Sequence, residues 1–156
     1  MSARSFTAVL RRSGRGGVLV PVPFVPDAAW GPKSIHHVTG TVDGRGVRGT
    51  VEPVDGGFGL VLGPAWARDC PVAIGVEVAV ELAPEGPQRG ELPEDLAAAL
   101  AAEPAAGAFF DSLAQFYRRA YLRWIEGAKR RPQLRAERIA EVVALLAAGV
   151  KVRPKA

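Results

Sequence analysis

The sequence predicts an α+β protein, in which a small N-terminal β-barrel of about six strands precedes a C-terminal helical module. In the first half of the chain, short runs of residues alternate between apolar and polar with the period of a strand. Turn-forming residues separate these runs at a spacing of roughly 8–12 residues, which is typical of small all-β domains. After about residue 90 the apolar residues recur with the helical period instead. We therefore expect one domain at residues 1–90 and another at residues 91–156.

The barrel strands follow one another with turn signals between them. Alternating apolar residues place the strands at residues 6–10, 18–22, 38–42, 47–51, 58–62 and 76–82. Asp43-Gly44 joins the third strand to the fourth and is a strong signal for a two-residue hairpin. Short helices are predicted at residues 26–30 and 64–69. Strands in this arrangement can close into a barrel, which leaves no exposed edges.

The helical module begins after a linker at residues 84–90, with helices predicted to start near Leu92 and Pro104. Residues of a third helix recur at i, i+3, i+4, i+7 and i+11 and so share one face: Tyr117, Ala120, Tyr121, Trp124 and Ala128. Arg118, Arg119 and Arg123 fall away from that face. We therefore expect these three arginines to point towards solvent.

A last helix is predicted between Pro132, which suits a first helical turn, and Gly149, which suits a helix end. Arg135 and Arg138 lie near its start, where cations oppose the helix dipole. Two explanations stay open for these arginines. They hold an anionic partner, or they pair with a carboxylate elsewhere in the fold.

The net charge of +4 hides a strong asymmetry along the chain. Residues 43–111 carry twelve acidic residues and four arginines, whereas residues 112–156 carry eleven cations and three acidic residues. The acidic and the basic segment can pair within one chain or with a second copy of the chain. We therefore expect a monomer or a homodimer. The single cysteine excludes an intrachain disulfide, and no apolar run reaches the roughly 18 residues that span a bilayer. We expect a cytoplasmic location and no membrane contact.

Two groups of residues are candidate binding sites. The first combines four cations with two aromatic residues that would fix the helix presenting them: Lys129, Arg130, Arg135, Arg138, Tyr121 and Trp124. A solvated charged face beside core aromatics would explain the same pattern. The second group is Trp30, Lys33 and Arg48, which would converge at the mouth of the barrel to bind a small anionic ligand. The alternative interpretation there is a rim aromatic, a solvated lysine and a cross-strand ion pair.

The sequence lacks the motifs of common catalytic and metal sites. It contains no Gly-x-Ser-x-Gly elbow and no Walker loop. His36 and His37 are its only histidines, and on a strand they face opposite sides, so they cannot share a metal ion. These absences argue against an enzyme active site, and we expect no metal and no cofactor.

Several different short motifs follow one another in a recognisable order along almost the whole chain. The C-terminal ones are Tyr121, Trp124-Ile125, Ala128-Lys129 and Arg135-x-x-Arg138-Ile139. The motifs that precede them in the chain are Val22-Pro23-Phe24, Val42-Asp43-Gly44, Val47-Arg48-Gly49 and Leu92-Pro93-Glu94-Asp95-Leu96. In this order the chain resembles the bacteriocin-protection, YdeI/OmpD-associated family of bacterial proteins, with the uncharacterised small-barrel domain often fused ahead of it. The resemblance implies a double-split β-barrel, a shape shared with some dimeric transcription-factor and antitoxin barrels, and no established catalytic residue.

The family pattern usually has a threonine before the first arginine of the cluster, where this chain has Leu134. Three functions remain open. The first, which we favour, is a non-catalytic binding or stress-protection module whose basic helical surface holds an anionic partner or protein. The second is a nucleic-acid-binding protein that uses the barrel and the C-terminal cations, and it predicts steep salt dependence. The third is an enzyme that acts on a small anionic ligand at the barrel mouth.

Overall fold

The computed structural model of the chain describes residues 3–71 and 74–154. The chain divides into two compact units, Met1–Glu85 and Gly86–Ala156. In the described residues, the first unit holds seven strands, a 3₁₀ turn at Gly14–Gly16 and two short α-helices, and the second holds a 3₁₀ turn and four longer α-helices. This architecture confirms the predicted α+β class, in which a barrel precedes a helical module.

The N-terminal unit is a seven-stranded antiparallel sheet that curls into a nearly closed barrel. Its strands are β1 (Arg4–Val9), β2 (Arg11–Arg12), β3 (Val18–Val22), β4 (His36–Val42), β5 (Arg45–Val54), β6 (Gly57–Leu62) and β7 (Glu77–Pro84). Their order across the sheet is β1-β7-β4-β5-β6-β3-β2. Strand β2 has only two residues, which pair with β3. It is too short to produce an alternating pattern, so the sequence predicts about one strand fewer.

The inner face of the barrel carries the apolar residues that the alternation predicts. Val20, Val38, Val42, Leu60 and Leu82 are completely buried there. Two short helices, α1 (Pro26–Trp30) and α2 (Pro64–Asp69), confirm the predicted helical segments between the strands. Each begins with a proline, whose missing N–H costs nothing in a first helical turn.

Two-residue hairpins join β4 to β5 and β5 to β6. The φ angles are 52° at Asp43 and 75° at Gly44 in the first hairpin, and 43° at Asp55 and 77° at Gly56 in the second. Positive φ at both central positions defines a type I′ turn, whose twist matches that of paired strands. The hairpin predicted at Asp43-Gly44 is confirmed.

The C-terminal unit contains a single 3₁₀ turn and four helices in the described residues. The turn is Arg89–Glu91, and the helices are α3 (Glu94–Ala102), α4 (Pro104–Ser112), α5 (Gln115–Glu126) and α6 (Pro132–Ala147). Leu96, Leu100, Phe110, Ile125 and Leu146 form the centre of its core. None of the helices in the described parts of the chain is long and apolar enough to cross a bilayer.

Candidate binding surface of the helical unit

Arg118 on α5 is a buried structural residue, so the prediction that it points towards solvent was wrong. Its exposed fraction is 2%. The guanidinium donates hydrogen bonds to the carbonyl oxygens of Leu113 at 2.9 Å, Pro87 at 2.9 Å and Asp111 at 2.7 Å. Two of these acceptors lie at the end of α4, where carbonyls have no partner within the helix. Arg118 therefore joins α4 and α5 through the backbone.

Arg135 is the centre of an ion-pair network that connects three helices. Its guanidinium binds the Asp95 carboxylate through two bonds, Nε to Oδ2 at 2.7 Å and Nη2 to Oδ1 at 3.0 Å. A third bond runs from Nη1 to Oε1 of Glu126 at 2.8 Å. Only 15% of the Arg135 side chain is exposed. The structure thus contains the carboxylate partner that one of the two explanations requires, and it engages Arg135 within the fold.

The Arg135–Asp95 pair makes part of the stability of the helical unit dependent on pH. The hydrogen bond from Arg135 lowers the pKa of Asp95 below its usual 3.8. Because the folded-state pKa is depressed, this stabilisation is complete above pH 3.8 and is lost as pH falls through the lower, folded value. Asp95 is half exposed, so we expect the effect to be under about 1 kcal/mol.

Replacing Asp95→Asn tests this linkage. We expect the variant to unfold more easily than the wild type at neutral pH, and the difference between their free energies of unfolding to shrink as pH falls below 3.8. The measurement is urea unfolding followed by far-ultraviolet circular dichroism at several pH values. A difference that stayed constant down to strongly acidic pH would show that the ion pair contributes nothing.

Arg138 is also engaged within the helical unit. Its Nη1 donates to the Trp124 carbonyl oxygen at 2.8 Å, and its guanidinium carbon lies 3.7 Å from the centre of the Trp124 ring. The guanidinium of Arg153 lies 3.5 Å from the same ring centre. Cations over an indole face are attracted by its quadrupole. Trp124 is thereby held between α6 and the C-terminal segment.

Tyr121, the other predicted aromatic, is buried and also fixes the C-terminal segment. Its hydroxyl donates to the Val150 carbonyl oxygen at 2.5 Å. Burial raises the pKa of Tyr121, which keeps the phenol protonated as a donor.

Lys129 and Arg130, the remaining predicted cations, lie with Arg131 in the exposed turn between α5 and α6. Within the described residues, none of the three has a carboxylate partner. Backbone hydrogen bonds order the turn, from Lys129 to Glu126 at 3.1 Å and from Arg131 to Ala128 at 2.9 Å. We name these three residues the basic turn. The six predicted site residues therefore divide into two solvent-facing cations and four residues that hold the fold around them.

A groove lies beside α5, which forms one of its walls. The other wall is Lys151–Arg153, and the sequence did not predict it. Helix α6 ends in a Schellman motif, because the Gly149 N–H binds the Leu146 carbonyl and the Val150 N–H binds the Leu145 carbonyl. Gly149 has a φ of 74°, which turns the chain back over α5. Lys151–Arg153 then lines the groove, whose volume is about 430 Å³. The glycine was the sequence signal for the turn, but the course of the chain after it depends on packing.

Each residue predicted for the barrel mouth has a contact within the N-terminal unit. Trp30 is 1% exposed and packs edge-on against Phe24, with ring centres 5.1 Å apart. Arg48 forms two hydrogen bonds with the buried carboxylate of Glu85, the shorter at 2.6 Å, which is a pairing of the kind the alternative interpretation names. The Lys33 backbone N–H donates to Asp27. A ligand site at these residues stays a prediction.

In the parts of the chain that the structure describes, no three His, Cys, Asp or Glu side chains are grouped so that they could hold a metal ion. The helical unit carries exposed cations, a groove and aromatic side chains on its surface. Such groups bind a partner through charge and apolar contact.

Comparison with protein-family models gives two matches that follow one another along the chain. Residues 6–82 match a model described as Domain of unknown function (DUF1905). Residues 90–149 match the model of the bacteriocin-protection, YdeI or OmpD-associated family. A search of curated proteins gives no significant match. Residues 90–149 are thus similar to the bacteriocin-protection, YdeI or OmpD-associated family, and residues 6–82 ahead of them are similar to the domain of unknown function, which is the arrangement that the sequence motifs indicated.

Proposed function

We propose that the protein is a non-catalytic binding module that holds an anionic partner at the basic turn, Lys129–Arg131. The family name associates such domains with protection against bacteriocins, and a cytoplasmic stress-protection role is part of the proposal. The observation that carries it is the division of the cations. Arg118, Arg135 and Arg138 bind groups within the helical unit, whereas the basic turn faces solvent without a carboxylate partner in the described residues.

Local electrostatics do not explain three consecutive cations in this turn. Cations that follow the C-terminus of α5 are stabilised by its dipole. The same cations precede the N-terminus of α6, where the dipole opposes them by some tenths of a kcal/mol, about as much as they gain. With little net effect on the fold, their charge is available for a partner.

The neighbouring residues hold this charge in place. Arg135 connects α6 to Glu126 at the end of α5, and Arg138 connects α6 to the Trp124 carbonyl. These bonds lie on either side of the turn and limit its motion. A surface that is ordered before binding loses less entropy when its partner arrives.

The double charge reversal Lys129→Glu/Arg130→Glu tests the proposal. The probe is a fluorescein-labelled decaglutamate peptide, and its binding is measured by fluorescence anisotropy at low and at physiological salt. We expect the wild type to bind in a salt-dependent way and the variant to bind at least about tenfold more weakly, since its turn repels the probe. A labelled DNA duplex run in parallel tests the nucleic-acid alternative.

The matched control is Arg11→Glu/Arg12→Glu, which makes the same change of charge at exposed positions of the barrel. Equal losses in the two variants would show that net charge alone attracts the probe. That result, or a wild type that does not bind even at low salt, would contradict the proposal. Tight binding of DNA with weak binding of decaglutamate would favour the nucleic-acid alternative.

A further inference from the structure

The groove beside α5 exposes large apolar side chains that have no role in the core. Phe116 is 67% exposed and Val152 is 62% exposed, on its two walls. Tyr117, Ala120 and Trp124 line it between them. Exposed apolar groups gathered in one place mark interaction sites more often than scattered ones do.

The polar residues that line the groove are mainly cationic. Arg123, Lys151 and Arg153 contribute their side chains, and no carboxylate is among the lining residues in the described part of the chain. Lys151 also lies 5.7 Å from the centre of the Tyr117 ring. An occupant must therefore combine apolar surface with negative charge to complement both parts of the groove.

The stacking positions over Trp124 are already taken, which argues against a nucleic-acid base as occupant. The guanidinium groups of Arg138 and Arg153 lie 3.7 Å and 3.5 Å from its ring centre. Two like charges so near one point do not fit on the same face, so each covers one face. Base recognition by a stacking platform requires a free face. A bulky side chain, in contrast, needs only apolar contact with the ring edges and with Phe116.

The openness of the groove argues against a small molecule. Pockets for small ligands enclose most of the ligand surface. Here Phe116 and Val152, one on each wall, are more than half exposed, so an occupant that contacts them would lie at the surface. A groove of this kind suits a chain that lies across it and inserts one side chain, as in peptide recognition by helical surfaces.

We propose that the groove between α5 and Lys151–Arg153 binds an acidic peptide segment of a partner protein, with one bulky apolar residue as its anchor. The anchor contacts Phe116, Ala120 and Val152, and the flanking carboxylates pair with Arg123 and Lys151. This deepens the proposed function, on which it rests, by naming the partner chemistry and a second contact surface. The groove recognises the apolar anchor residue of the peptide, whereas the basic turn binds negative charge without regard to the anchor.

The test is selection of random peptides displayed on phage against the full-length wild-type protein, with counter-selection against Phe116→Ser/Val152→Ser. Both substituted side chains are mostly exposed, so the variant is expected to fold as the wild type does. We expect the enriched peptides to carry an aromatic or branched aliphatic residue flanked by Asp or Glu. Enrichment of basic peptides, or of none, would overturn the inference.

The best selected peptide is then synthesised with a fluorescent label and compared with a copy whose anchor is alanine. We expect the wild type to prefer the anchored peptide by about tenfold or more, and the groove variant to bind the two equally. Decaglutamate binding, which reports on the basic turn, should be unchanged in the groove variant. If the wild type binds the two peptides equally, the proposal that an apolar anchor residue occupies the groove is refuted.

The outcomes separate the two proposals. If Lys129→Glu/Arg130→Glu has no effect on decaglutamate while the anchor preference persists, the groove is a site and the basic turn is not. If decaglutamate binding depends on the turn but no anchor preference exists, the proposed function stands without the groove. If single-stranded DNA binds the wild type but not the groove variant, the occupant of the groove is a nucleic acid and not a peptide.

Discussion

Arg118→Met is expected to destabilise the helical unit by about 3 kcal/mol or more, because it removes three charge-assisted hydrogen bonds from a buried position. Methionine fills the volume of the aliphatic stem but donates nothing to the carbonyl oxygens of Leu113, Pro87 and Asp111. The contact between the guanidinium and the Phe110 ring, 5.1 Å from its centre, is lost as well.

The matched control is Arg119→Met, one residue further along α5, where the side chain is exposed. There we expect a change within about 0.5 kcal/mol. Urea unfolding followed by far-ultraviolet circular dichroism at a helical wavelength reports on this unit, since it contains the four longer helices. Equal stability of the two variants would mean that water replaces the donors of Arg118 without cost.

Gly40→Ala is expected to destabilise the barrel by about 3 kcal/mol or more, at or above the upper end for an overpacked site. Gly40 lies on β4 opposite Leu82 of β7. A Cβ atom at this position would lie 1.8 Å from the Glu81 carbonyl oxygen and 2.8 Å from its carbonyl carbon. These atoms belong to the backbone, so relief of the clash requires β4 and β7 to separate and their hydrogen bonds to break.

Gly46→Ala on β5 is the control, because no heavy atom of the described residues, other than those of Gly46 and its two chain neighbours, lies within 4 Å of the Cβ it would add. We expect it to leave stability within about 0.5 kcal/mol of the wild type. Both variants are measured by urea unfolding with tryptophan fluorescence, to which the barrel contributes through Trp30 and Trp66 and the helical unit through Trp124. A Gly40→Ala protein as stable as the Gly46→Ala protein would show that the two strands can move apart freely.

Elements that depend on neighbouring residues were predicted from the sequence. Period-two alternation placed the inward residues of the barrel, such as Val38 and Leu60, and Asp43-Gly44 placed a hairpin. Proline and glycine bounded α6, with Pro132 at its start and Gly149 just after its end. Side-chain periodicity and backbone preference act within a few residues. The amino-acid sequence alone is therefore enough to predict the elements that depend on them.

The candidate site was predicted only in part, because its partners lie far apart in the chain. Lys129 and Arg130 were placed on an exposed surface, as a run of charge suggests. Helical spacing put Arg118 on the outer face of α5, and it could not reveal the carbonyls at the end of α4 that draw it inwards. Nor could it show that Arg135 binds Asp95, which lies 40 residues away.

The sequence by itself thus determined the α+β class, the strands other than β2, the helices and the stretch of chain that carries the cations. Only the tertiary structure decided which of those cations bind groups within the fold and which face solvent. It also formed the groove, by bringing Lys151–Arg153 beside α5. The physical reason is that a guanidinium is satisfied by whichever oxygens packing brings within reach, and this pairing leaves no periodic signal in the chain.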